Sequence, residues 1–192
     1  MMREAPPRRD FTDPLNSPKR LQTGTVGSMT IDRRKFLLAA PALLAACSGR
    51  RVLSYDGPQI TSIMAFKQQR KLYLLSGNKA IKTYPFQLGF APVGHKQFEG
   101  DGKTPEGAYI IDRRNPNSAY LLSVGISYPN ANDRAFAEAY GKSPGGEIFI
   151  HGTPSVVEGK KDWTAGCIAV MNHEVEEIYS MVGDYTPVFV KA

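Results

Sequence analysis

From residue 60 onward the chain is written in short alternating runs. ITSIMAF, KLYLLSG and KAIKTYPFQLG are rich in β-branched, leucine and aromatic residues and are separated by Gln68, Gln69, Gly77 and Asn78. Runs of that length bounded by turn formers predict strands. Gly77-Asn78, set between LYLLS and KAIKTY, predicts a hairpin with a tight turn. AYIID, YLLSVGISY, GEIFIHG and the closing TPVFV predict further strands. Before AYIID lies APVGHKQFEGDGKTPEG, residues 91–107, a Gly/Pro-rich loop of the length that either carries function or stays unstructured.

Two segments change period. NANDRAFAEAYG predicts a short helix with Asn132 or Asp133 as cap and Gly141 as stop. NHEVEEIYSMVG predicts a clearer one, capped by Asn172 and ended by Gly183, with Glu174 and Glu176 near the positive end of its dipole. Val175, Ile178, Tyr179 and Val182 fall at i, i+3, i+4 and i+7 and form one apolar face. The fold class expected is mainly β with a few short helices, a β-sandwich or distorted barrel without internal repeats.

Upstream of residue 47 the pattern is different. Residues 1–28 are rich in Pro, Arg, Ser and Gly without periodicity, and are expected to be disordered or an upstream extension preceding Met29. Residues 29–46 place Arg33-Arg34 before an apolar run from Phe36 to Ala46. A membrane span needs about 20 apolar residues, so this run reads as a signal-peptide core instead. The arginine pair resembles a twin-arginine export signal. Leu44-Ala45-Ala46-Cys47 resembles the lipobox at which bacterial lipoproteins are cut and acylated, which implies a lipid on Cys47. The expected organisation is completed by a linker at 47–58 and one folded domain at 59–192. The expected location is outside the cytoplasm, periplasmic and lipid-anchored to a membrane.

Charge matters only through its location. Of the net +6, residues 1–46 hold eight Lys/Arg against four Asp/Glu, so the remainder is nearly balanced. A body without a basic stripe argues against a nucleic-acid partner.

The chemistry concentrates in KDWTAGCIAVMN, around Cys167. The chain has two cysteines, and a lipid on Cys47 leaves Cys167 without an intramolecular partner. The other readings are a Cys47–Cys167 bridge, an inert buried thiol, or a metal ligand. Zinc asks for three or four ligands, and this chain offers one His–Cys pair with no CxxC or HxxxH. His151 ends the strand GEIFI before Gly152, so its ring is expected at the rim of a sheet; Cys167 opens CIAV after Gly166. Two strand ends bring such side chains together. An adjacent imidazolium lowers a thiol's pKa, so the expectation is a nucleophile ionised near neutrality. His151 then serves as base and as proton donor to the leaving amine. Backbone N–H groups of Gly166 and Cys167 are expected to receive the oxyanion. A carbonyl such as that of Gly152 is expected to hold the imidazole tautomer. His173 reads as a solvated or capping residue, and His95 as a loop residue outside the site.

HGTPSVVEGKKDWTAGCIAV resembles the signature of the L,D-transpeptidases, the YkuD catalytic domain: His151-Gly152, a variable loop, then Thr164-Ala165-Gly166-Cys167-Ile168. GDGKTPEGAY (100–109) and PGGEIFIHG (144–152) extend the likeness, which spans about residues 60–190. The resemblance implies a β-rich catalytic domain at 59–192 that acts on peptidoglycan stem peptides without cofactor or metal. It also implies Cys167 as nucleophile, His151 as acid/base, and Trp163, Thr164 and Thr104 as substrate-binding residues. The cysteine attacks the carbonyl of an L-centre at position three, a D-amino acid leaves, and an amine resolves the thioester. One departure stands out: typical members carry arginine two places after the cysteine, and here Ala169 stands there. SYPNANDRAFA (127–137) with GCIA resembles a branch that includes enzymes cleaving lipoprotein from peptidoglycan. Three functions stay in play: an acyltransferase, a hydrolase of an L-centred amide between peptidoglycan and a peptide or lipoprotein, and a non-catalytic wall-binding lipoprotein.

Overall fold

The computed structural model describes residues 53–192. The expectations for the leader, the lipobox and Cys47 lie outside the described residues. Eight strands form one sheet: β1 (Ser62–Phe66), β2 (Lys71–Ser76), β3 (Lys79–Pro85), β4 (Gly107–Asn115), β5 (Ser123–Ile126), β6 (Phe149–His151), β7 (Ile168–Ala169) and β8 (Pro187–Lys191). Two helices join them, α1 (Ala131–Ala139) and α2 (Asn172–Met181). The spatial order is β3-β2-β1-β8-β4-β5-β6-β7, with β1–β8 and β6–β7 parallel and the other neighbours antiparallel.

Period-two burial explains the inner strands. Ile63 and Ala65 in β1, Leu72 and Leu74 in β2, and Val188 and Val190 in β8 turn inward, while their neighbours are at least partly exposed. β3 buries only Tyr84 and carries Lys79 and Lys82, the charges expected on an edge strand. β5 is buried at every position because both of its faces are covered. Its Val124 side meets α2, whose Val175, Ile178 and Tyr179, with Val182 just after it, are all buried as the helical spacing predicts. The Gly77-Asn78 hairpin forms between β2 and β3, with Gly77 at φ +57°.

The two edges of the sheet do not stay apart. The chain leaving β3 crosses to β7, where Gln87 and Ala169 exchange both backbone hydrogen bonds at 2.8 and 2.9 Å. Two residues on, Thr164 N–H donates to Leu88 and Phe90 N–H donates to Thr164, at 3.1 and 2.9 Å. The result is a curled half-barrel, the distorted-barrel form of the mainly β fold.

Both helix caps differ from expectation. α1 is capped by Asn130, whose Oδ1 accepts from the N–H groups of Asn132 and Asp133 while Asp133 accepts from the Asn130 N–H. A cap must precede the first helical residue to reach those donors, so Asn132 and Asp133 lie too far in. In α2, Asn172 is the first helical residue, and its Oδ1 accepts from Thr153 N–H at 3.0 Å. The N-terminus is closed instead by Glu174, which accepts from Met171 N–H at 2.8 Å.

The long loop is ordered. The half-buried Asp101 carboxylate accepts from the N–H groups of Gln97, Phe98 and Lys103 and from Lys96 Nζ, at 2.8–3.0 Å. Burial opposes its ionisation, but the Gln97 and Lys103 N–H groups, the Lys96 ammonium and the Phe98 N–H outweigh that and hold its pKa down at about 2. The loop packs backbone to backbone on the segment after β3: a Cβ on Gly89 would stand 2.0 Å from Gly102 O and 3.0 Å from Gly166 Cα. Gly89→Ala is therefore expected to cost about 2 kcal/mol or more by overpacking. Its thermal midpoint, measured by circular dichroism, should fall by roughly 4–8 °C. An unchanged midpoint would mean that this three-way contact does not hold the loop.

Candidate active site

Cys167 and His151 meet through two residues of parallel pairing. Ile150 lies opposite Ile168 and His151 opposite Ala169, so Cys167 stands opposite Phe149. Side chains alternate between faces, which puts Phe149, His151, Cys167 and Ala169 on one face, and Ile150 and Ile168 on the core side. The two reactive residues are thus diagonal neighbours on adjacent strands, with Cα atoms about 8 Å apart by strand spacing and rise.

The imidazole is held on three sides. Nδ1 lies 2.7 Å from Gly152 O. A carbonyl only accepts, so Nδ1 carries the proton and Nε2 is left with its lone pair. Tyr120 stacks on the ring at 4.3 Å and 25°, and Trp163 meets it edge-on at 5.7 Å. Gly152 N–H donates in turn to Tyr120 O at 3.1 Å. A Cβ on Gly152 would sit 2.4 Å from Asn172 Oδ1 and 2.6 Å from Tyr120 O, so only glycine fits at this position. Burial, at 2 % exposure, pushes the His151 pKa below its ordinary value, and the Gly152 bond offsets this only in part.

The sulfur is half-buried. Sγ accepts from Phe149 N–H at 3.4 Å and donates to Glu147 O at 3.4 Å, a pair of roles that a thiol fills and a thiolate does not. Burial pushes the Cys167 pKa up; the Phe149 N–H and the charges of Lys96 and Arg113 pull down, and Glu147 adds to the rise. The sequence-based expectation of a thiolate ionised by a neighbouring imidazolium is therefore corrected. Both partners rest neutral, because desolvation penalises each charge. Glu147 holds φ +54°, a left-handed conformation unusual for a residue with a side chain, and it aims its carbonyl at the sulfur.

The remaining predicted site residues separate into those at the centre and those behind it. Gly166 is required: it has φ +139°, and a Cβ there would stand 2.7 Å from Lys103 O. Its N–H, however, donates to Thr164 Oγ1 at 3.1 Å, while that hydroxyl donates to Cys167 O at 2.8 Å. Two expectations change as a result. The Gly166 N–H is spent inside the turn, whereas the Cys167 N–H has no partner of its own among the described residues. Thr164, at 4 % exposure, shapes the turn and does not face substrate. Thr104 is also corrected: it is fully buried, with Oγ1 accepting from Gly89 N–H at 3.3 Å, so it supports the loop from within. Trp163 does flank the site, lining a cavity of about 170 Å³ with Thr153, Lys160 and Met171, and its buried Nε1 has no partner among the described residues. Ala169 is buried beside His151.

Three neighbours escape a reading of the sequence alone. Tyr120 and Glu147 read as the beginnings of the strands YLLSVGISY and GEIFIHG, and Arg113 as the residue after AYIID. Only the Gly145-Gly146 pair before Glu147 hints at unusual backbone. His95 stands away from the sulfur, with Nδ1 accepting from Glu106 N–H at 3.0 Å and Nε2 3.1 Å from Asp133. Among the described residues no group of three His, Cys, Asp or Glu is placed to hold a metal ion.

A thiol and an imidazole thus share one face at the edge of the sheet, each beside a glycine that its surroundings require. The chain belongs to the L,D-transpeptidases: the YkuD L,D-transpeptidase catalytic domain matches residues 61–190. It is 32% identical over 126 residues to "Putative L,D-transpeptidase YafK" of Escherichia coli (strain K12), covering 62% of this chain and 46% of that protein. Among solved structures it resembles the helical cell shape determining protein Pgp2 of Campylobacter jejuni, at 28% identity and TM-score 0.55, over 75% of this chain and 53% of that one. Bd1075 of Bdellovibrio bacteriovorus shares the fold at 24% identity and TM-score 0.52, over 72% and 50%. The chain spans about half the length of the relatives it matches.

The neutral pair has a measurable signature. With burial pushing the thiol pKa above its ordinary value, the thiolate is the minor form at pH 7. Alkylation of Cys167 by iodoacetamide should therefore be slow at pH 7 and still climbing past pH 9. A rate already level by pH 6 would demand the ion pair instead. Because His151 must be neutral to accept a proton and its pKa is lowered, the acid limb of any activity profile should lie below pH 6.5.

Proposed function

We propose that this protein is a cysteine acyltransferase acting on peptidoglycan stem peptides, the substrate class of its family. The observation that carries this reading is the fixed imidazole: Nδ1 committed to Gly152 O leaves the Nε2 lone pair on the face that bears the Cys167 thiol. In the first half-reaction Nε2 takes the thiol proton as Sγ attacks the carbonyl carbon of the L-centre at position three. A C–S bond forms, and the oxyanion is received by the Cys167 N–H. Collapse breaks the C–N bond, and His151 hands its proton to the departing D-amino acid. In the second half-reaction an amine attacks the thioester, loses its proton to His151, and the thiol is restored. Water in place of the amine makes the same residues a hydrolase. General acid–base work of this kind contributes about 10²–10⁴-fold.

This reading includes export and a lipid on Cys47, supported by the Arg33-Arg34 pair and the lipobox-like Leu44–Cys47. It includes a part in wall shape, supported by the likeness to Pgp2.

The test is to mix the protein with a tetrapeptide muropeptide and read intact mass and products together. A mass gain on Cys167 equal to the donor less the free D-amino acid that departs is expected. Cys167→Ala should abolish turnover, and His151→Ala should lower it by about 10²–10⁴-fold. Products joined to an added amine mark a transferase, and products gaining water mark a hydrolase. No adduct and no product with the wild type would leave a wall-binding role.

A further inference from the structure

The register of the sheet runs a straight line from β4 to the nucleophile. Arg113 lies opposite Gly125, Gly125 opposite Phe149, and Phe149 opposite Cys167. All four occupy the face away from α2, since Arg114, one residue on, packs its guanidinium over Tyr179 of that helix at 4.0 Å. Gly125 is what lets the row connect. A Cβ there would stand 2.5 Å from Arg113 Cγ and 2.8 Å from Nε, so the arginine lies flat across β5. Its guanidinium carbon then rests 4.7 Å above the Phe149 ring, and the Phe149 N–H holds the reactive sulfur.

That guanidinium is under-used. Nη1 donates to Asp112 at 3.0 Å, while Nε and Nη2 are shielded from solvent and make no hydrogen bond among the described residues. Nε is covered by the Gly125 backbone. Nη2 faces the Glu147 carboxylate at 3.6 Å, too far for a hydrogen bond, and that side chain is 81% exposed. A carboxylate reaching in from solvent therefore already stands before the outer edge of the fork. It belongs to the residue whose carbonyl touches the thiol.

We propose that Arg113 is the residue that recognises the free C-terminal carboxylate of the leaving D-amino acid, which takes over the place held by the Glu147 side chain in the free protein. This inference rests on the acyltransfer reading above. Distances agree with it. The terminal carboxylate lies one residue, at most about 3.8 Å, beyond the scissile carbonyl. Arg113 sits over the residue one strand spacing, about 4.8 Å, from Cys167. The exchange is charge for charge: a mobile exposed carboxylate gives way to a fixed one that completes paired N–H···O bonds. It also accounts for Ala169. That position, buried beside His151, holds no guanidinium in this chain, and Arg113 brings one to the same face from β4.

Two stem tetrapeptides test it, one with a free C-terminal carboxylate and one with a C-terminal amide. Wild type should favour the acid by about 10- to 100-fold in kcat/KM, the range of a charge-assisted bond, mainly through KM. In Arg113→Met the acid should fall toward the amide, and Arg113→Lys should restore part of the preference. A preference that survives in Arg113→Met, or an equal loss on both peptides, would overturn the assignment. Calorimetry on Cys167→Ala separates this from the reading it rests on. If wild type turns over neither peptide, yet Cys167→Ala binds the acid more tightly than the amide and the added Arg113→Met removes the difference, the enzyme reading fails and Arg113 stands. If Cys167→Ala binds the two alike, Arg113 falls whatever the turnover.

Discussion

Two residues of parallel ladder at the edge of a sheet decide the chemistry of this protein. Ile150 with Ile168 and His151 with Ala169 set the phase in which thiol and imidazole share a face. A slip of one residue would turn either side chain into the core. The pairing is too short to hold itself, and the fold reinforces it from both sides. Gln87 clamps Ala169 from the strand that leaves the far edge, and Asn172 at the start of α2 ties down the Gly152–Thr153 turn. Closing the curled sheet and aligning the reactive pair are one event.

Burial then sets the electrostatics. A solvated Cys–His pair gains from charge separation; here the ring lies between Tyr120 and Trp163, and the sulfur between the Phe149 N–H and the Glu147 carbonyl. Both groups lose more by desolvation than their neighbours return, which favours the uncharged form of each. A resting neutral thiol is also a poor target for stray oxidants, since the thiolate is the reactive form.

Much of this was legible from residue types. Alternation located the strands, and the apolar face of α2 followed from its spacing. Gly152 and Gly166 flanked the reactive pair, and each meets backbone or an amide where a Cβ would go. What escaped reading depends on contacts distant in sequence. Asn172 looked like a cap because Asn favours that place, but its amide is claimed by Thr153. Thr104 and Thr164 looked like substrate ligands because they border the motif, and the fold turns both inward. The ionisation state was misread because spacing reports neighbours and says nothing of burial. Arg113 was invisible for the plainest reason: its relation to Cys167 exists only through the register of three strand pairs.

The position of β8 has a consequence for biogenesis. The strand that comes last along the chain lies in the interior of the sheet, parallel to β1 and antiparallel to β4. Until Pro187–Lys191 has left the ribosome, β1 and β4 each face an empty neighbour, and the β1–β3 meander and the half that bears the active site are two unjoined pieces. Joining the half that bears Cys167 and His151 to the β1–β3 meander therefore waits for this one strand, which both halves need as a neighbour.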